Sequence, residues 1–171
     1  MKKTLLFIGL FFALTFGSFA QKYALVDMEY ILKNIPTYES ANQELEKVAE
    51  RWQGELEQIQ KDVQDMYKKF QTDSPTLKGE EKTKRENAIV AKENELQQVR
   101  NKYFGADGEM FKRRESLIDP IQDAVYNAIK EIALTSGYQA IIDRASATSM
   151  IFASPDIDIS NEVLAKLGYS K

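Results

Sequence analysis

The sequence has no cysteine and no histidine. The first absence excludes disulfide staples, thiol nucleophiles and cysteine metal sites, and it suits an oxidising compartment. The second removes the usual general base and the commonest transition-metal ligand. P-loop, dinucleotide-binding and catalytic-triad patterns are missing as well. Asp156 and Asp158 come nearest to a metal pair, yet two carboxylates without further ligands read better as turn and cap chemistry. So poor an acid–base inventory points to a non-enzymatic protein with no cofactor and no metal. An excess of positive charge is lacking too. Without Lys2 and Lys3 the chain holds 21 basic against 26 acidic side chains, a net −5, which argues against a nucleic-acid surface.

Nor is any apolar run long enough to span a bilayer comfortably. Leu5 to Phe16 covers 12 residues behind the basic Met1-Lys2-Lys3, the pattern of an export signal. Ser18 and Ala20 are small residues at the positions a signal peptidase reads, so residues 1–20 are expected to be removed after Ala20 and the mature chain to reach the periplasm. A retained membrane anchor is the competing reading. With no cysteine after the run, lipoprotein anchoring is excluded.

What the chain does have is charge, 29% of all residues, laid over two long apolar periodicities. Pro36 ends a short helix that begins near Met28, and Thr37 is placed to cap the next one. That helix should run to about Thr72 with a seam of Tyr38, Ala41, Leu45, Val48, Trp52, Leu56, Ile59, Val63, Met66 and Phe70. The steps are of three and four residues with one stutter near Trp52, a heptad seam that locally relaxes there. Asp73 to Gly79 reads as a turn, and folding about Pro75 would set Phe70 near Lys82 and Tyr38 near Arg114. A second helix is expected from about Glu80 to Ser136, stopped by Gly137, with a kink or restart at Asp119-Pro120. Its first seam is Ile89, Leu96, Tyr103, Met110, Leu117 and Ala124, and a second stripe is Phe104, Phe111, Ile118, Val125 and Ile132.

Three short strands are predicted, at residues 22–27, 138–143 and 149–153, followed by a last helix capped by Ser160. The expected fold is mainly α with a small β body: residues 37–114 form a long antiparallel coiled-coil hairpin arm with its tip near 73–79. Residues 21–36 and 137–171, with the lower shaft 115–136, form a β-rich oligomerisation body. Because the second helix outruns the first, and three short strands make too small a sheet, copies are expected to join through the body. Ala24, Val26, Ile118, Val125, Ile132, Ile141 and Ile151 are the interface candidates.

Over essentially the whole mature length the chain resembles the Skp/OmpH periplasmic chaperones. The resemblance rests on residues 23–28 (YALVDM) and 35–38 (IPTY) at the front. At the back it rests on residues 120–126 (PIQDAVY), 137–143 (GYQAIID) and 158–164 (DISNEVL). It implies a homotrimer whose helical arms enclose a cavity for unfolded outer-membrane proteins, working as a holdase without ATP. The best-known members are strongly basic, whereas this chain is net acidic, so no lipopolysaccharide contact is carried over. A structural coiled-coil adaptor or spacer of the cell envelope is the alternative function.

Candidate client contacts concentrate at the tip. Residues 68–85 hold six basic side chains against three acidic ones, net +3 in a mature chain whose other residues are net −8. Lys68, Lys69, Lys78 and Lys82 could attract acidic chains or a membrane surface, while an ordinary solvated helix end is the plainer reading. Met66, Tyr67 and Phe70 beside them could serve clients or simply complete the seam. Phe104 and Phe111 could line a cavity or pack on the partner helix. Gly54, Gly105 and Gly108 interrupt the helices in mid-arm, as a hinge or as tolerated flaws.

Overall fold

A computed structural model describes residues 22–169, so the export signal and its cleavage point lie outside the described residues. The chain divides into two compact units, residues Leu32–Val125 and the two chain ends up to Ile31 and from Tyr126. Among the described residues no helix is long and apolar enough to cross a membrane.

In the chain-end unit, strand β1 (Tyr23–Val26) pairs in parallel with β2 (Ala140–Asp143), Tyr23 facing Ala140 and Val26 facing Asp143. On its other side β1 makes a single parallel bridge from Leu25 to Asp158. Ala24, Leu25 and Val26 are all buried, which is why the strand is a continuous apolar run rather than an alternating one. The predicted third strand does not form. Residues 149–153 are irregular, with Ile151 fully exposed and Phe152 nearly so. The side of β1 away from β2 is taken by the bridge at Asp158.

Arg144 gathers this unit by pairing with Asp27 at 3.3 Å and Asp158 at 2.9 Å. Asp158 also accepts from the Ser160 amide at 2.9 Å. Ser160 itself is the first residue of helix α5 (Ser160–Lys166), and its hydroxyl accepts from the Asp27 amide at 2.8 Å. Asp158 therefore does the capping that the sequence pattern assigned to Ser160. Both carboxylates perform turn and cap chemistry, that of Asp156 accepting from the Ser154 hydroxyl at 3.2 Å and that of Asp158 from the Ser160 amide.

Asp143 is the unit's pH-sensitive tie. Burial pushes its pKa up, but hydrogen bonds from the Met28 amide, from Ser146 and from the Ala145 amide outweigh this and hold it below the ordinary 3.8. A carboxyl with a lowered folded pKa stabilises above its unfolded value and loses that contribution as pH falls through the folded one. The thermal midpoint of wild type should therefore fall as pH drops below about 4, and that of Asp143→Asn should fall less. Circular dichroism melts across that range check this; parallel curves for the two proteins would refute it.

Helix α1 (Met28–Lys33) leads into the second unit, which is built on a hairpin. Helix α2 (Pro36–Asp73) has 38 residues, about 57 Å at 1.5 Å per residue. Ile35 occupies its N-cap position and Pro36 its first turn, so Thr37 is not the cap. Every seam residue predicted from Tyr38 to Phe70 is buried or half-buried, as the heptad steps require.

The return limb differs from expectation. It is two helices, α3 (Glu80–Phe104) and α4 (Glu109–Ser136), broken at residues 105–108. Gly105 closes α3 in an extended conformation, with its amide bonded to the Asn101 carbonyl at 2.9 Å. Gly108 opens α4, its carbonyl accepting from the Lys112 amide at 3.2 Å. Pro120 lies inside α4 without the predicted restart. Gly137, at φ +72°, ends α4 where the sequence placed the stop.

Candidate functional site

The arm tip is built by the reversal between α2 and α3. Ser74 is still helical after Asp73, and the amides of Thr76 and Leu77 both bond back to the Asp73 carbonyl. The chain turns at Gly79, whose φ of +56° favours glycine. The pivot is thus four residues beyond Pro75, and the limbs pair in a different register from the one folding about Pro75 gives. Arg85 pairs with Asp73, Lys92 with Asp62 at 3.9 Å, Tyr103 with Glu55 at 2.8 Å and Arg113 with Glu44 at 2.7 Å. Phe70 accordingly meets Arg85 and Ile89 rather than Lys82, and Tyr103 lies across from Trp52.

Three of the tip candidates come together. Met66, Lys69 and Phe70 from α2, with Arg85, Ala88 and Ile89 from α3, line a largely apolar pocket of about 120 Å³. Nothing in the sequence singles out Ala88. Arg85 and Ile89 were visible only as part of the basic stretch and the seam, because naming them as walls needs the Gly79 pivot. Tyr67 faces α3 instead, donating to Glu93 at 3.0 Å, and that hydrogen bond raises its pKa. Lys68 lies 3.8 Å from Asp65 on its own helix. Arg85 is engaged by Asp73 and Glu81. Among the described residues Lys69, Lys78, Lys82 and Lys84 make no ion pair, so much of the tip's positive charge faces solvent unneutralised.

A second feature lies in mid-arm. Trp52 stacks flat on Tyr103, ring centroids 4.6 Å apart and planes within 5°, and Phe104 meets its edge at 6.2 Å. Val48 completes the cluster, with Val99 and Met110 packed against it. The Tyr103 hydroxyl bonds to Glu55, which is the main reason its pKa is raised. The α2 stutter at Trp52 and the break after Phe104 thus face each other. Phe104 and Phe111 remain 39% and 47% exposed, available to another molecule.

The interface candidates separate into two groups. Ala24, Val26, Ile118, Val125 and Ile132 are buried within the single chain. Their burial needs no second copy. Ile141 is half-buried and Ile151 fully exposed, and Ile142, Phe152, Leu134 and Tyr126, which the sequence did not single out, are exposed apolar residues of the same unit. Among the described residues β2 has β1 as its one strand neighbour, which leaves its other edge open.

Comparison with known proteins agrees with this architecture. The family described as "Outer membrane protein (OmpH-like)" matches residues 22–167. The chaperone protein Skp of Yersinia enterocolitica is 30% identical over 162 residues, covering 94% of this chain and 94% of that relative. The Skp chaperone of Pectobacterium atrosepticum is 28% identical over 98% of this chain and 99% of its own length. The crystal structure of a putative outer membrane chaperone (OmpH-like) from Caulobacter crescentus shares the fold, with a TM-score of 0.65 over 88% of this chain and 86% of that one at 13% identity. The family match spans nearly all the described residues, the front and back motifs included, and this chain belongs to the OmpH-like outer membrane protein family.

Proposed function

We propose that this protein is a periplasmic chaperone for outer-membrane proteins, acting as a holdase that needs no nucleotide. The observation that carries the reading is family membership over residues 22–167, joined to a hairpin arm that leaves unneutralised lysines beside an apolar pocket. Many weak apolar and charged contacts capture an unfolded chain, and each stays breakable. Preferential binding of the unfolded state keeps it from aggregating. Release then needs only a better sink, such as client insertion into the membrane.

The working form is a homotrimer with the client held between arms. Its subunits join through the surfaces one copy leaves bare, the open edge of β2 and the exposed segment with Ile151 and Phe152. Such an edge with exposed apolar residues beside it is costly in a free monomer. The export signal is removed after Ala20, no catalytic step is involved, and the basic tip makes transient contact with a membrane surface.

The test is dilution of a urea-unfolded β-barrel membrane protein with and without the purified mature chain. Turbidity should be suppressed at a fixed ratio of chain to client, and light scattering of the chain alone should give three times the monomer mass. Equal turbidity with and without the chain would remove the holdase reading; a monomer at micromolar concentration would remove the trimer.

A further inference from the structure

The tip pocket joins two recognition chemistries within one small site. Its walls are Met66 and Phe70 on one limb and Ala88 and Ile89 on the other. An apolar cavity of about 150 Å³ holds one benzene ring, so a pocket of about 120 Å³ takes a single aromatic or branched aliphatic side chain and not a long acyl tail. Lys69 also lines it and has no partner among the described residues. Lys84, likewise unpaired, lies four residues before Ala88 and so on the same helix face. Asp73 and Glu81 hold the Arg85 guanidinium, which leaves the two lysines as the free cations.

We propose that this pocket is an anchor subsite for unfolded client segments in which an aromatic or branched aliphatic side chain stands next to an aspartate or glutamate. The apolar side chain fills the space between α2 and α3 and the neighbouring carboxylate meets Lys69. The proposal rests on the holdase reading and names what its arms grip. A client held at several arms needs a motif that recurs along its length, which favours internal acidic residues over a chain's single terminal carboxylate.

The test uses the full mature chain and fluorescein-labelled peptides with blocked ends, read by anisotropy. The probes are a Glu-Phe-Glu core, the same core with Phe→Ala, and the same core with both Glu→Lys. Losing the ring should weaken binding about tenfold or more, the effect of one buried apolar side chain. Reversing the charges should weaken it about threefold, as for an exposed ion pair. In the protein, Ala88→Phe fills the pocket from an exposed helix position and should mimic loss of the peptide ring. Lys69→Glu should prefer the lysine peptide. Peptide affinities that are undetectable, or unchanged by both variants, overturn the proposal, as does binding of anionic vesicles in preference to every peptide. Wild-type suppression of client aggregation that neither variant alters sinks the anchor alone. No suppression by wild type sinks the holdase reading itself.

Discussion

Trp52→Ala should open the middle of the arm, with amides of residues 48–56 and 96–104 losing about 3 kcal/mol of protection in hydrogen exchange. Large-to-small changes at buried tryptophan cost about 3–5 kcal/mol in cores, and a two-limbed hairpin, solvated on its outer faces, belongs at the lower end. Trp52 is buried, stacks on Tyr103 and is met edge-on by Phe104, so its removal strips both aromatic contacts at once. It also uncovers the Tyr103–Glu55 hydrogen bond, which spans the two limbs. Nothing else in mid-arm compensates, because the remaining cluster members, Val48, Val99 and Met110, are small or flexible. Trp52→Phe keeps a ring in place and should lose about 1 kcal/mol, the scale of an aromatic pair. Protection lost evenly along the arm, or by less than about 1 kcal/mol for Trp52→Ala, would mean that the hairpin is held by its seam as a whole and not by this cluster.

That cluster marks where the sequence was legible and where it was not. Seam spacing along α2 named each residue that turns inward, since a 3.6-residue period forces those positions onto one face. It also placed the Trp52 stutter. It did not reveal that the opposite limb breaks there, because Ile89, Leu96, Tyr103 and Met110 keep a seven-residue step straight across Gly105 and Gly108. Sequence periodicity is blind to four residues that leave the helix and return to it in usable phase. Beyond the break the first seam lapses: Ala124 is exposed while Ile118, Val125 and Ile132 take over the burial. The tip failed differently. Pro75 looked like the pivot because proline stops helices, yet the residue with positive φ is Gly79, and four residues at the apex decide which side chains meet all along the arm. Met66, Lys69 and Phe70 were found from one limb alone; their opposite wall needed the register. In the chain-end unit β1 and β2 were legible from their apolar runs, whereas residues 149–153 have strand composition and no strand partner within one copy. Strand composition reflects a fit to a half-buried pleated surface, and Ile151 and Phe152 pack on none within one copy.

Replacing both Gly105 and Gly108 with alanine should destabilise the arm by about 3 kcal/mol while raising its helical signal. In the observed break a Cβ on residue 105 would run into the Asn101 carbonyl oxygen. One on residue 108 would stand 2.8 Å from the Tyr103 carbonyl oxygen and 2.9 Å from the Gly105 nitrogen. All of these are backbone atoms, so no rotamer change relieves them. Alanine also favours helix over glycine by about 1 kcal/mol per site, and both effects push residues 104–109 toward one continuous helix. Gly54→Ala is the control, since a Cβ there meets nothing within 4 Å and the change should add about 1 kcal/mol of stability. Urea unfolding followed by circular dichroism separates the cases. A double variant as stable as Gly54→Ala would make the break incidental. If the break is instead a joint that lets the arms accommodate clients of different size, the double variant should still suppress aggregation of small clients and fail with large ones, and undiminished protection of large clients would retire the joint while leaving the packing argument standing.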